Sequence, residues 1–287
     1  VARLRRSLAV THSRRDITEL LARIDRRPRQ SLGQNFVADP NTVRRIVRLA
    51  GVQPGDPVVE IGAGLGSLTL ALAEAGARVL AVEIDGDLVP LLREQVEPLG
   101  VRVLHADALT LDWNAALDEW GVERAALVAN LPYNVATPLV CDLLDHVPRL
   151  DRMLVMVQRE VGERLAAGPG GAAYGIPSVK VAYWAEARLA GHVPASVFVP
   201  QPKVESSLVE IVRRPAPVVP DVDPDVLFAL VRAGFGQRRK MLRRALASMV
   251  DAETFAVAGV ASEARAEQLT VQQWGALARA VAGRKPA

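Results

Sequence analysis

Asn130-Leu131-Pro132-Tyr133 is the stretch of this chain best suited to chemistry. The side-chain oxygen of Asn130 and the backbone carbonyl of Leu131 can each accept one N–H of a planar amine. Tyr133 offers an aromatic face on which a ring can stack. Pro132 fixes its own φ and lacks an N–H, so it stiffens the turn. A second stretch is Glu60-Ile61-Gly62-Ala63-Gly64-Leu65-Gly66-Ser67. Gly62 and Gly64 would let a ligand approach the backbone with no Cβ in the way. The helix expected after them offers unpaired N–H groups at its start. The spacing is E-x-G-x-G-x-G; a dinucleotide fingerprint would need glycine where Ser67 stands.

The elements that must position these residues follow from periodicity. Strands are predicted at 57–61, 78–83, 101–105, 125–129 and 152–157, with helices between them at 66–76, 86–95, 113–120 and 137–146. That alternation predicts an α/β fold, a parallel sheet with helices on both faces. Glu83 then ends one strand in position to hold ribose hydroxyls. Asp107 ends the next, where a carboxylate can accept from the exocyclic amine of an adenine. Helices at 158–167 and 176–183 lead to strands at 184–192 and 206–213.

The stretch from Arg214 to Pro224 carries four prolines and reads as a linker. Beyond it the pattern is helical, at 224–234, 239–250, 252–258, 263–267 and 270–282. Three regions result: a basic N-terminal extension over 1–27, a catalytic α/β domain over 28–214 and a small helical domain over 215–287. Residues 1–15 read as a disordered tail rather than a transit peptide, and Asp16 as the cap of a short helix to Ile24.

Composition excludes several classes. Half of the 287 residues are hydrophobic, so the chain is globular. No apolar run approaches membrane-spanning length. The single Cys141 and the scattered His12, His105, His146 and His192 offer no metal cluster, and a reducing cytoplasm is the default. The net charge of +3 is modest but unevenly placed. Arginines crowd residues 3–29, and Arg238, Arg239, Lys240, Arg243 and Arg244 form a second cluster on a predicted helix. Two such clusters on a nearly balanced chain point to a polyanion such as RNA.

Together these motifs resemble the ribosomal RNA adenine dimethyltransferases, over residues from about 28 to about 275. The matching blocks include Gln34-Asn35-Phe36-Val37, Glu60 to Gly66, Asn130 to Pro138, Val197 to Ser206 and Phe235 to Lys240. The resemblance implies a Rossmann-like sheet that binds S-adenosylmethionine through Asn35, Val37, Gly62, Gly64, Glu83, Asp107 and Asn130. It implies that Asn130 to Tyr133 hold the target base, with Phe198 packing on the flipped adenine from the other side. The implied partner is small-subunit ribosomal RNA, met by a cytoplasmic, metal-free monomer. Ala63 departs from the family, which usually has Pro there, and the resemblance says nothing about the N-terminal extension. Two rival readings stand beside it: a large-subunit adenine methyltransferase of the antibiotic-resistance type, and an RNA-binding assembly factor without catalysis. A DNA adenine methyltransferase is disfavoured by the late blocks.

Overall fold

Helix α1 (Arg14–Arg23) opens the computed structural model, which describes residues 11–283. Residues 1–10 of the expected tail lie outside the described residues. Ser13, not Asp16, caps the helix. Its hydroxyl accepts from the Asp16 N–H, and the Asp16 carboxylate accepts from the Ser13 N–H at 2.8 Å. The reciprocal pair is a capping box, so the helix starts earlier than expected. Ile17, Leu20 and Leu21 face inward and pack with Leu65, Leu88 and Leu91. Residues 11–24 therefore belong to the folded core, not to a tail.

The chain divides into two compact units. The first runs to Gly162 and resumes over Arg188–Val212. Its short strand β1 (Phe36–Val37) is followed by α2 (Pro40–Ala50), where Asp39 caps and Pro40 takes the first helical position. Then come β2 (Pro57–Ile61), α3 (Ser67–Glu74), β3 (Arg78–Glu83), α4 (Val89–Val96) and β4 (Arg102–His105). After α5 (Trp113–Trp120) follow β5 (Ala125–Asn130), α6 (Ala136–His146) and β6 (Leu150–Gln158). The helix α7 (Arg159–Leu165) and α8 (Ile176–Trp184) precede β7 (Ala185–Val193), β8 (Phe198–Val199) and β9 (Ser206–Arg213).

The main sheet has the order β4-β3-β2-β5-β6-β9-β7. Strands β2 to β6 pair in parallel, and β9 runs antiparallel to β6. Val58 of β2 faces Val79 of β3 on one side and Ala126 of β5 on the other. From β2 the chain steps outward to β3 and β4, then returns to β5 on the opposite flank. The crevice at the carboxyl ends of β2 and β5 is thus a topological switch point, where open α/β sheets take their ligands. β1 and β8 form a separate antiparallel pair.

The second unit comprises Glu163–Ala187 and the chain from Arg213. Its helices are α8, α9 (Pro224–Gly236), α10 (Leu242–Ala245), α11 (Ala252–Ala258) and α12 (Val271–Ala282). The boundary expected at 215 is too simple. Tyr174, Val179 and Tyr183 are buried with Phe228 and Trp274 in one core, so the segment before β7 joins the helical unit. The proline stretch is no free linker either: Val219 and Val222 are buried in that core, and the Val218 N–H donates to the Tyr183 carbonyl at 3.0 Å. No helix among the described residues is long and apolar enough to cross a membrane.

Candidate active site

Asn130 is the last residue of β5, beside the glycine turn that follows β2. Its Nδ2 donates to the Asn35 carbonyl at 3.0 Å. A carbonyl partner requires the amide nitrogen, so the hydrogen-bond network assigns Oδ1 to the other side. That oxygen accepts no bond among the described residues. The Leu131 N–H donates to the Met156 carbonyl at 3.0 Å, while the Leu131 carbonyl accepts nothing among the described residues. The Pro132 carbonyl takes the N–H groups of Val135 and Ala136 and so starts α6. Two oxygens of the turn that suit an amine, Asn130 Oδ1 and the Leu131 carbonyl, are thus without a partner among the described residues. The Tyr133 hydroxyl meets Ser206 Oγ at 2.7 Å, and burial pushes its phenol upward. The hydroxyl contact fixes the ring's orientation.

Asn130 to Tyr133 line one cavity with Asn35, Val37, Gly62, Gly64 and Glu83. An adjoining cavity of about 210 Å³ shares Gly62 and Pro132 with it and reaches Asp107. Asp107 also caps its own turn, one carboxylate oxygen accepting from the Leu109 N–H at 2.9 Å. The seven residues expected around a cofactor thus line two adjoining spaces.

Gly62 has φ +73° and donates to the Val82 carbonyl at 2.8 Å. Gly64 has φ +58°, and a Cβ there would lie 2.9 Å from the Phe36 ring. Only glycine serves at that turn. The Gly64 N–H donates to one oxygen of Glu83 at 2.6 Å, and the Asp85 N–H donates to the other at 2.8 Å. Burial pushes the Glu83 carboxyl upward against these bonds. Asp85 is itself buried and accepts from Gln34 at 2.7 Å and Arg29 at 3.0 Å. Glu83 therefore does two jobs: it ties the glycine turn to β3, and it keeps further lone pairs for the cavity.

Several participants were not assigned from sequence. Glu60 lines the first cavity, is 2 % exposed, and its Oε2 has no hydrogen-bond partner among the described residues. Burial, with the Glu83 charge adding to it, pushes its carboxyl up to about 8. An acid at the inner end of a core strand was the available signal. Arg29, Asp85 and Ser206 carried no local signal, because their partners lie far away in sequence.

Phe198 is placed differently from the expectation. Its ring is 0 % exposed, packed in the core cluster with Val37, and it lines neither cavity. A sealed ring has no face for a base; it supports Val37, its partner across the β1–β8 pair. The basic cluster is also reshaped. Only Leu242–Ala245 is helical; Gln237 to Lys240 form a turn. The amides of Leu242 and Arg243 donate to the carbonyls of Ala264 and Ser262, so the expected helix over 239–250 does not propagate. Arg238 pairs with Glu267 at 2.7 Å and Arg243 with Glu263 at 3.0 Å. Arg239, Lys240 and Arg244 are exposed with no ion pair among the described residues.

The model of the ribosomal RNA adenine dimethylase family matches residues 26–282. The chain belongs to that family. It is 49 % identical over 274 residues to a ribosomal RNA small subunit methyltransferase A of Streptomyces avermitilis, covering 92 % of this chain and 91 % of that protein. It is 49 % identical over 289 residues to the protein of the same name from Kineococcus radiotolerans, covering 97 % and 94 %. Among solved structures, a dimethyladenosine transferase from Plasmodium falciparum shares the fold, with TM-score 0.70, 22 % identity and coverage of 83 % of this chain and 94 % of that one. The 23S rRNA methyltransferase ErmE gives TM-score 0.66 and 25 % identity over 86 % of this chain and all of that one.

A dimethylase of this family is an S-adenosylmethionine-dependent enzyme, and the two cavities fit that cofactor. It carries a cationic sulfonium and ammonium, a ribose diol and an adenine. The unpartnered oxygen of buried Glu60 suits a cation, and the open lone pairs of Glu83 suit a diol. Asp107 stands in the second cavity, where an adenine amine would find an acceptor. When bound, the cofactor supplies an electrophilic methyl group on a good leaving group.

Proposed function

We propose that this chain transfers two methyl groups to N6 of each of two adjacent adenosines in small-subunit ribosomal RNA, acting in ribosome biogenesis. The carrying observation is the pair of free acceptors, Asn130 Oδ1 and the Leu131 carbonyl, at the switch point. The N6 lone pair of adenine is delocalised into the ring and is a poor nucleophile. Two acceptors on its hydrogens favour a pyramidal nitrogen and free the lone pair for methylation. Tyr133, held by Ser206, stacks the base once it has left its helix. No strong general base is needed, because the N–H becomes acidic as the methyl transfers. Position and electrostatics supply the catalysis.

Relatives named for the small subunit stand at 44–49 % identity, against 25 % for the 23S enzyme, which supports the small-subunit target. In this reading the helical unit takes RNA phosphates through Arg239, Lys240 and Arg244, with Arg238 and Arg243 held back by acids. The residues assigned to the cofactor and the base all lie on one chain, so a monomer suffices in this reading.

Under-methylated small subunits incubated with tritiated S-adenosylmethionine, followed by nucleoside mass spectrometry, test the proposal. Dimethyladenosine in small-subunit RNA is the expected product. Monomethyladenosine alone would remove the second transfer. Labelling of large-subunit RNA would move the chain to the large-subunit type, and tight RNA binding with no label would make it an assembly factor.

A further inference from the structure

The segment before α1 reaches the cofactor cavity through a chain of polar groups, of which His12 and Ser67 are buried and Gln95 is half-buried. His12 is 6 % exposed, with Nε2 2.6 Å from Gln95 Oε1 and Nδ1 3.2 Å from Ser67 Oγ. Gln95 lies on α4, and Ser67 is the first residue of α3 and lines the cavity. The direction of every proton in this chain follows from its far end. The side-chain nitrogen of Gln95 donates to the carbonyls of Leu65 and Leu91, at 3.4 and 3.2 Å. Two carbonyl partners fix that atom as nitrogen, so Oε1 accepts from His12. His12 Nε2 then carries the hydrogen, and Nδ1 is a bare acceptor. The Ser67 hydroxyl must therefore give its proton to His12. Only its lone pairs remain for the cavity.

We propose that His12 is a positioning residue of the cofactor site, acting through Ser67. By holding the Ser67 proton it makes that hydroxyl an acceptor, suited to a donor such as the cofactor's ammonium group and unsuited to its carboxylate. The same network grips the glycine turn from outside, because Gln95 holds the Leu65 carbonyl and the Leu65 side chain packs against Ile17, Leu20 and Leu21. Residues 11–24 are thus part of the cofactor site, although none of them lines the cavity.

The test is calorimetric titration of the full chain with S-adenosylhomocysteine, with circular dichroism and melting curves as a check of folding. Binding by the wild type stands for the cofactor reading; the role of His12 rests on the variants. His12→Ala should weaken binding about 5- to 10-fold, the range of one lost hydrogen bond. His12→Asn keeps an acceptor near the Nδ1 position and should stay within about 2-fold of wild type. His12→Gln keeps a group only near Nε2 and should bind like the alanine variant. In a Ser67→Ala background, His12→Ala should weaken binding no further. An unchanged affinity in His12→Ala, or a full loss that persists without the Ser67 hydroxyl, would overturn the proposal. If His12→Ala does not fold, the Asn and Gln variants decide, and equal affinities for them would overturn it too.

Discussion

Glu60→Gln keeps the shape of a buried side chain and removes its proton equilibrium. The unfolded Glu60 carboxyl titrates near 4.5, and the folded one is pushed up to about 8 by burial. Between those values the folded protein holds a proton that the unfolded chain has lost. Stability contributed by the neutral acid is complete below the unfolded value and is lost as pH rises through the window. At about 1.4 kcal/mol per pH unit, the wild type loses about 2–3 kcal/mol between roughly pH 5.5 and 7.5 on account of this group. The glutamine variant does not. Glu83, also pushed up by burial, and His12, pushed down by it, are present in both proteins and largely cancel in the difference.

The assay is urea unfolding of the cofactor-free protein at the two pH values. The stability of Glu60→Gln relative to wild type should rise by about 2–3 kcal/mol from the lower pH to the higher. A difference that stays constant with pH would refute the reasoning, since it would mean that Glu60 ionises normally in the fold. A corollary concerns binding. A cationic ligand beside Glu60 favours the carboxylate, so wild type should release a substantial fraction of a proton on binding S-adenosylmethionine near neutral pH. Calorimetry in two buffers of different ionisation enthalpy reads that number, and Glu60→Gln should abolish it.

Asn130→Ala removes one of the two amine acceptors and should lower the methylation rate by roughly a hundredfold or more. The melting temperature should change little by comparison, because Asn130 closes β5 at a half-buried position outside the sheet core; single-turnover labelling beside a melting curve separates the two. Neutralising Arg239, Lys240 and Arg244 together should flatten the salt dependence of RNA binding by about two units of log–log slope, at roughly 0.7 for each lost phosphate contact. Neutralising the paired Arg238 and Arg243 should flatten it less, and filter binding across a salt series compares the two variants.

From β2 to β6 the elements follow their local signals closely, because the strands are short apolar runs and helices such as α5, with Asp112 as its cap and Gly121 as its stop, carry their ends in their own sequence. Gly62, Asn130 and the acids at strand ends were legible for the same reason: in a parallel sheet, position along a strand already decides which end a residue occupies. The readings that failed all depended on distant partners. The run from Arg239 to Val250 has helical composition, yet Ala264 and Ser262 take two of its amides. The stretch over 215–224 has the prolines of a linker, yet Val219 and Val222 fill the core of the helical unit. Phe198 looks like a ring for a base, yet its strand pairs with β1 and turns it inward.

The arginine-rich segment shows the same limit most clearly. Its charges suggest a solvated tail, but a helix is placed by its apolar face rather than its charges. Ile17, Leu20 and Leu21 carry that face against Leu65, while Arg29 and Gln34 converge on Asp85 behind Glu83. The glycine turn is thereby held on one side by the N-terminal segment and on the other by β3. A turn built on left-handed glycines gains its rigidity from such neighbours, not from its own sequence. Substitutions in residues 11–34 should therefore be felt first as changes in cofactor affinity, before any change in the chemistry at Asn130.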